Sequence, residues 1–183
     1  MQLTRRSETI TVPATCPTTA VDAQWMVLCT LSRQEKVVGE YLGGRGFEYY
    51  LPLVGKVTIG PKGRKSSSRS PLFPGYVFLR GTSAQRYAVV DTGRVFQVLA
   101  VPDQERFARE LEQIKLALAH EAPLERYPFA VVGQRVRVAK GPMTGLEGVI
   151  AETGRRKRLV LSVDVLGRGA AMEIDVDLIE PID

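Results

Sequence analysis

The chain has 183 residues, with 25 Lys and Arg against 20 Asp and Glu, two cysteines and one histidine. That length holds one large domain or two small ones, and no apolar run is long enough to span a membrane. Cys16 sits in a polar tail and Cys29 in an apolar run, which argues against a disulfide or a cysteine metal site, and Arg5 and Arg6 precede no apolar signal segment, so a cytoplasmic protein without cofactor or metal is expected. The basic excess is local. Residues 24–122 carry 14 basic against 9 acidic side chains, and residues 123–183 carry 9 of each. The middle of the chain is therefore the part that would approach nucleic acid.

Residues 1–22, rich in Thr with Pro13 and Pro17, read as a disordered tail. Gln24 to Thr30 is a buried strand by its apolar run. Ser32-Arg33-Gln34-Glu35 has the spacing of a capping box. Val37, Val38, Tyr41 and Leu42 follow at helical spacing, and Gly43, Gly44 and Gly46 end the helix. Phe47 to Val54 and Val57 to Ile59 are strand candidates. Gly60 to Ser70, with four basic residues and no acid, reads as a mobile loop. Pro74-Gly75 then marks a turn into a short aromatic strand. On it Tyr76, Phe78 and Arg80 share one face and Val77 and Leu79 the other. Either one face is a wet, aromatic docking surface, or helices cover both. Ser83 to Asp91 is a short helix or turn, and Val95 to Val101 a strand. The next helix opens at Pro102-Asp103, with Phe107, Leu111, Ile114 and Leu118 as its apolar stripe.

The organisation expected is a first domain over 23–120, a linker over 121–128 and a second domain over 129–183. Past residue 129 the pattern is strand alone, punctuated by glycines, as in a small barrel. No catalytic constellation is visible. His120 ends a helix, no Ser or Cys stands in a nucleophile motif, and Gly43-Gly44-Arg45-Gly46 lacks the spacing of a phosphate loop. An enzyme is not expected.

Two blocks carry a resemblance. Trp25-Met26-Val27-Leu28, the helix after it, Pro71 to Phe78 and the closing helix resemble the N-terminal (NGN) domain of NusG-type transcription elongation factors. Val132 to Val138 with Gly141 to Val149 resembles their KOW motif. The resemblance spans about residues 24–182. It implies an α+β chain: an NGN-like mixed-sheet α/β sandwich followed by a five-stranded SH3-like KOW barrel. It implies a non-catalytic monomer, making no membrane contact, that binds RNA polymerase at the clamp helices of the largest subunit and suppresses pausing or termination. The barrel would recruit a small-subunit ribosomal protein, Rho or RNA.

Carried over by position, Phe73, Tyr76, Phe78 and Trp25 become the polymerase surface or its support. Lys62, Arg64, Lys65 and Arg69 become contacts to non-template DNA, against the plainer reading of a solvated loop. Arg33, Lys36 and Arg94 fall where specialised members meet DNA. Gln85-Arg86-Tyr87 holds the place of a polar motif that in some members touches the other side of the polymerase cleft, with different residue types. Gly141, Met143, Gly145 and Gly148 would form the partner loop of the barrel, although tight turns and bulges explain the glycines most simply. Arg155 to Arg158 is a basic hairpin tip. The individual tract 54–70 resembles the dispersed, operon-specific paralogues at least as well as the general factor. The other classes are a ribosome- or RNA-binding KOW protein and a regulator that binds DNA alone.

Overall fold

The computed structural model describes residues 22–59, 65–127, 133–153 and 156–182. They fall into two compact units divided between Gln104 and Glu105. Among them, no helix is long and apolar enough to cross a membrane.

The first unit contains β1 (Gln24–Thr30), α1 (Glu35–Gly44), β2 (Glu48–Tyr50), β3 (Leu53–Ile59), β4 (Lys65–Pro71), β5 (Tyr76–Gly81), α2 (Ser83–Val90) and β6 (Val95–Ala100). Helix α3 (Gln104–Ala119) begins at the division. Four strands form an antiparallel sheet in the order β2-β5-β1-β6. The two central strands carry continuous apolar runs because both their faces are buried. On one face Met26, Leu28, Val77 and Leu79 pack with Val38 and Leu42 of α1, Val89 of α2 and Val95. On the other lie Val27, Cys29 and Phe78, all buried. Burial pushes the Cys29 thiol up, which makes it a small core residue and not a reactive thiolate.

Two segments differ from their sequence expectation. Residues 65–70, read as a loop, are strand β4, paired with β3 from Leu53↔Pro71 to Ile59↔Lys65. A serine-rich segment has little strand preference of its own, but its backbone groups need partners and the neighbouring strand supplies them. The Ser32–Glu35 capping box does not form. Helix α1 starts at Glu35, and its N-cap, Gln34, makes no side-chain cap bond. The reciprocal box is on α2, where Thr82 Oγ1 accepts from Gln85 N–H and Gln85 Oε1 accepts from Thr82 N–H.

The second unit contains β7 (Glu125–Tyr127), β8 (Arg135–Val138), β9 (Glu147–Thr153), β10 (Arg156–Val163), β11 (Arg168–Glu173) and β12 (Ile179–Pro181). They form one antiparallel sheet in the order β12-β8-β9-β10-β11-β7. The family resemblance implied five strands; the additional one, β7, lies in the stretch read as linker. Its three residues, set between prolines, give no periodic signal, yet they pair with β11 through Tyr127↔Gly169 and Glu125↔Ala171. Strand β10 ends at Val163, and Asp164–Leu166 is a turn of 3-10 helix closed by Gly167 at φ 58°. Strand β10 is the core of this unit: Leu159, Val160 and Leu161 are buried in succession. From Glu105 onward α3 belongs to this unit. Glu110 Oε2 accepts the Asp164 backbone N–H, and Arg106 pairs with both carboxylates. Burial first, then the Asp164 charge, pushes Glu110 up to about 7, against the pull of that bond and of Arg106.

Candidate docking surface at the end of strand β1

The aromatic turn is built at the C-terminal end of β1. Gly75 has φ +83°, a conformation that glycine adopts freely. Its carbonyl accepts the Thr30 N–H at 2.8 Å, and its own N–H donates to Glu35 Oε1 at 2.7 Å. The Leu72 N–H donates to the Pro52 carbonyl at 2.8 Å. These bonds fix the backbone on both sides of Phe73 and Pro74.

The three aromatics of this turn are not equivalent. Phe78 has no exposed area and Phe73 only 3%. Their rings meet edge to face at 6.1 Å, and Tyr50 stacks on Phe78 at 6.3 Å. Both therefore lie beneath the surface, since the faces of β5 are covered by neighbouring chain. Tyr76, opposite Cys29, is half-buried and is the aromatic of this strand that keeps exposed area. Trp25 shares the face of Tyr76 but pairs with Arg80. Four residues along the strand put it about 13 Å from the turn, so it is not part of the same patch.

The basic residues gather beside this turn. The Leu31 N–H donates to the Arg94 carbonyl at 2.9 Å, and the Arg94 guanidinium donates to Gln34 Oε1 at 2.5 Å. Lys36 Nζ donates to the Arg69 carbonyl at 2.7 Å. Arg33, Lys36, Arg69 and Arg94 thus come from three separate parts of the sequence to the end of β1 and the start of α1. Lys62 and Arg64 lie outside the described residues, and of Lys65 only the backbone, in β4, is described. Leu31 and Val37 are exposed nearby and add apolar area that sequence reasoning did not single out. Exposed apolar area with basic side chains close by has the chemistry of a protein contact next to an anionic surface.

Arg33 holds a left-handed backbone at φ 63°. For a residue with a Cβ this costs about 1–2 kcal/mol. Arg33→Gly is expected to raise the unfolding midpoint of the first unit. A lowered midpoint would contradict the strain.

Elsewhere the sequence candidates separate. In Gln85-Arg86-Tyr87, Gln85 is spent on the α2 cap, whereas Tyr87 is 65% exposed with the Arg86 guanidinium 5.0 Å above its ring. Phe96 is exposed and carried no sequence signal beyond its place in a strand. In the second unit Gly141 (φ 92°) and Gly145 (φ 91°) shape the β8–β9 loop, which is closed by Gly145 N–H to the Val138 carbonyl and Leu146 N–H to the Met143 carbonyl. Met143 is half-buried in that loop. Gly148 is not part of it. It lies within β9 against β10, where a Cβ would stand 2.6 Å from the Val160 carbonyl oxygen. The described residues contain no cluster of His, Cys, Asp and Glu that would hold a metal ion.

Comparison with known proteins decides the family. The family model described as "NusG: Transcription termination factor nusG" matches residues 23–115. The chain belongs to the NusG family. It is 30% identical over 160 residues to the transcription termination/antitermination protein NusG of Neisseria meningitidis serogroup B, covering 82% of this chain and 88% of the relative. It is 28% identical over 177 residues to the protein of the same name from Lactococcus lactis, covering 88% and 94%. Among solved structures, one titled "Domain interaction in Thermotoga maritima NusG" is 26% identical, covers 89% of this chain and 99% of its own, and superposes with a TM-score of 0.46. The NusG match contains both the aromatic turn and the basic residues beside it.

Proposed function

We propose that this chain is a transcription elongation factor. Its first unit docks on RNA polymerase, at the clamp helices of the largest subunit, through Tyr76 and the apolar rim at the end of β1. Phe73 and Phe78 support that surface from below. Docking suppresses pausing or termination without any catalysis by the chain. Arg33, Lys36, Arg69 and Arg94 lie alongside non-template DNA and contact its phosphates. The loop holding Gly141, Met143 and Gly145 meets a second partner, a small-subunit ribosomal protein or Rho.

The observation that carries the reading is the family match over residues 23–115, which includes the whole pinned turn. The relatives' name, transcription termination/antitermination protein, supports its direction. The chemistry is consistent: a rigid aromatic gives much contact area for little lost side-chain freedom, and cations next to it attract a phosphate backbone.

Single-round transcription by the host's core polymerase tests it. Saturating chain is expected to shorten dwell at pause sites or change readthrough at terminators. Transcription unchanged by the chain, with the chain retained instead on ribosomes or free RNA, would overturn the proposal in favour of a ribosome- or RNA-binding role.

A further inference from the structure

Glu35 is a charged residue with 5% exposure, on the first turn of a surface helix. A buried carboxylate needs polar partners, and the partner here is specific. Its Oε1 accepts the backbone N–H of Gly75, forty residues away in sequence, at 2.7 Å. Charge-assisted bonds of this kind are short and about twice as strong as neutral ones. The adjacent Lys36 donates to the Arg69 carbonyl at 2.7 Å. Two consecutive residues at the start of α1 therefore hold the two ends of the segment 69–75, and Thr30 N–H holds Gly75 from the strand side.

We infer that Glu35 is a positioning residue for polymerase docking: its carboxylate fixes the Gly75 peptide and thereby the direction in which Tyr76 leaves the turn. The inference rests on the docking reading above and names the device that makes its surface rigid. A pinned turn presents Tyr76 in one orientation and spares the ordering cost that a loose loop would pay on binding. Glu35 would also favour the helix through the N-terminal dipole, and that structural role must be told apart from positioning.

Glu35→Asp separates them. It keeps the charge on the first turn but withdraws the carboxylate by about 1.5 Å, out of reach of Gly75 N–H. Glu35→Gln loses the charge and keeps an acceptor at the same distance. Amide exchange at Gly75 in the free chain is read beside affinity for core polymerase. In Glu35→Asp, Gly75 is expected to exchange faster and polymerase affinity to fall about tenfold. In Glu35→Gln, affinity should stay within about threefold of the wild type, because a neutral acceptor still holds the turn. A folded Glu35→Asp whose Gly75 exchange is unchanged, or whose polymerase affinity is unchanged although exchange has risen, would overturn the inference. So would equal losses in both variants with Gly75 protected in each. Failure of the docking reading itself appears earlier, as absence of binding by the wild type, and would remove this inference with it.

Discussion

Phe78→Ala is expected to destabilise the first unit by about 3–5 kcal/mol, the range for truncating a buried aromatic. Phe78 lies on a central strand with no exposed area, between the rings of Tyr50 and Phe73 and across from Val27. Truncation leaves a ring-sized void in a close-packed sheet, and the flanking strands hold their spacing by ladder bonds, so the void does not collapse. The single tryptophan, Trp25, is in the same unit. Its fluorescence under denaturant reads this unit directly. A Phe78→Ala midpoint equal to the wild type would mean that the ring is not a core residue. Tyr76→Ala is the contrasting variant: half-buried at the turn, it should move the midpoint little. Loss of polymerase binding in Phe78→Ala alone would therefore say nothing about the docking surface.

Gly148→Ala is expected to destabilise the second unit by about 1–3 kcal/mol, the usual cost of overpacking, and to fall at the upper end. The added Cβ would meet the Val160 carbonyl oxygen at 2.6 Å and Leu159 Cδ1 at 2.8 Å. The leucine can rotate, but the carbonyl belongs to the central strand of the sheet. Gly169 approaches the same strand, with the Leu161 carbonyl oxygen 2.7 Å from its would-be Cβ. Strand β10 has close backbone neighbours at both positions and little room to shift. Amide exchange across β9 and β10 should accelerate, with the Trp25 transition of the first unit unchanged. Unaltered exchange in Gly148→Ala would show that the β9–β10 approach is looser than described.

Much of the fold was legible in the sequence because it follows from pattern. The apolar run at β1 and the stripe of α3 each state their element directly. What failed were features decided by distant partners. Alternation along β5 left a wet aromatic face and a covered one both open, and only the fold decides: neighbouring chain covers Phe78 from that side and leaves Tyr76 partly open. Ser32 and Glu35 have the spacing of a local cap, yet the carboxylate turns to a glycine that only the folded sheet brings near. Serines 66–68 look like loop until β3 is beside them. Among the site residues, Arg33, Lys36 and Arg94 were singled out by resemblance, and composition alone would not have joined them to Arg69. Gly141 and Gly148 look alike in sequence. One supplies a left-handed turn and the other makes room for a strand.

The central claim is that the end of β1 is a polymerase-docking surface with Tyr76 as its outward aromatic. The direct measurement is the affinity of the purified chain for core RNA polymerase of its own host, wild type beside Tyr76→Ala, with the Trp25 unfolding midpoint of each recorded. The account predicts that the wild type binds and that Tyr76→Ala, equally stable, binds about thirtyfold more weakly, the loss of a buried aromatic hot spot worth about 2 kcal/mol. Absence of wild-type binding, or binding that survives Tyr76→Ala at full strength, would contradict it.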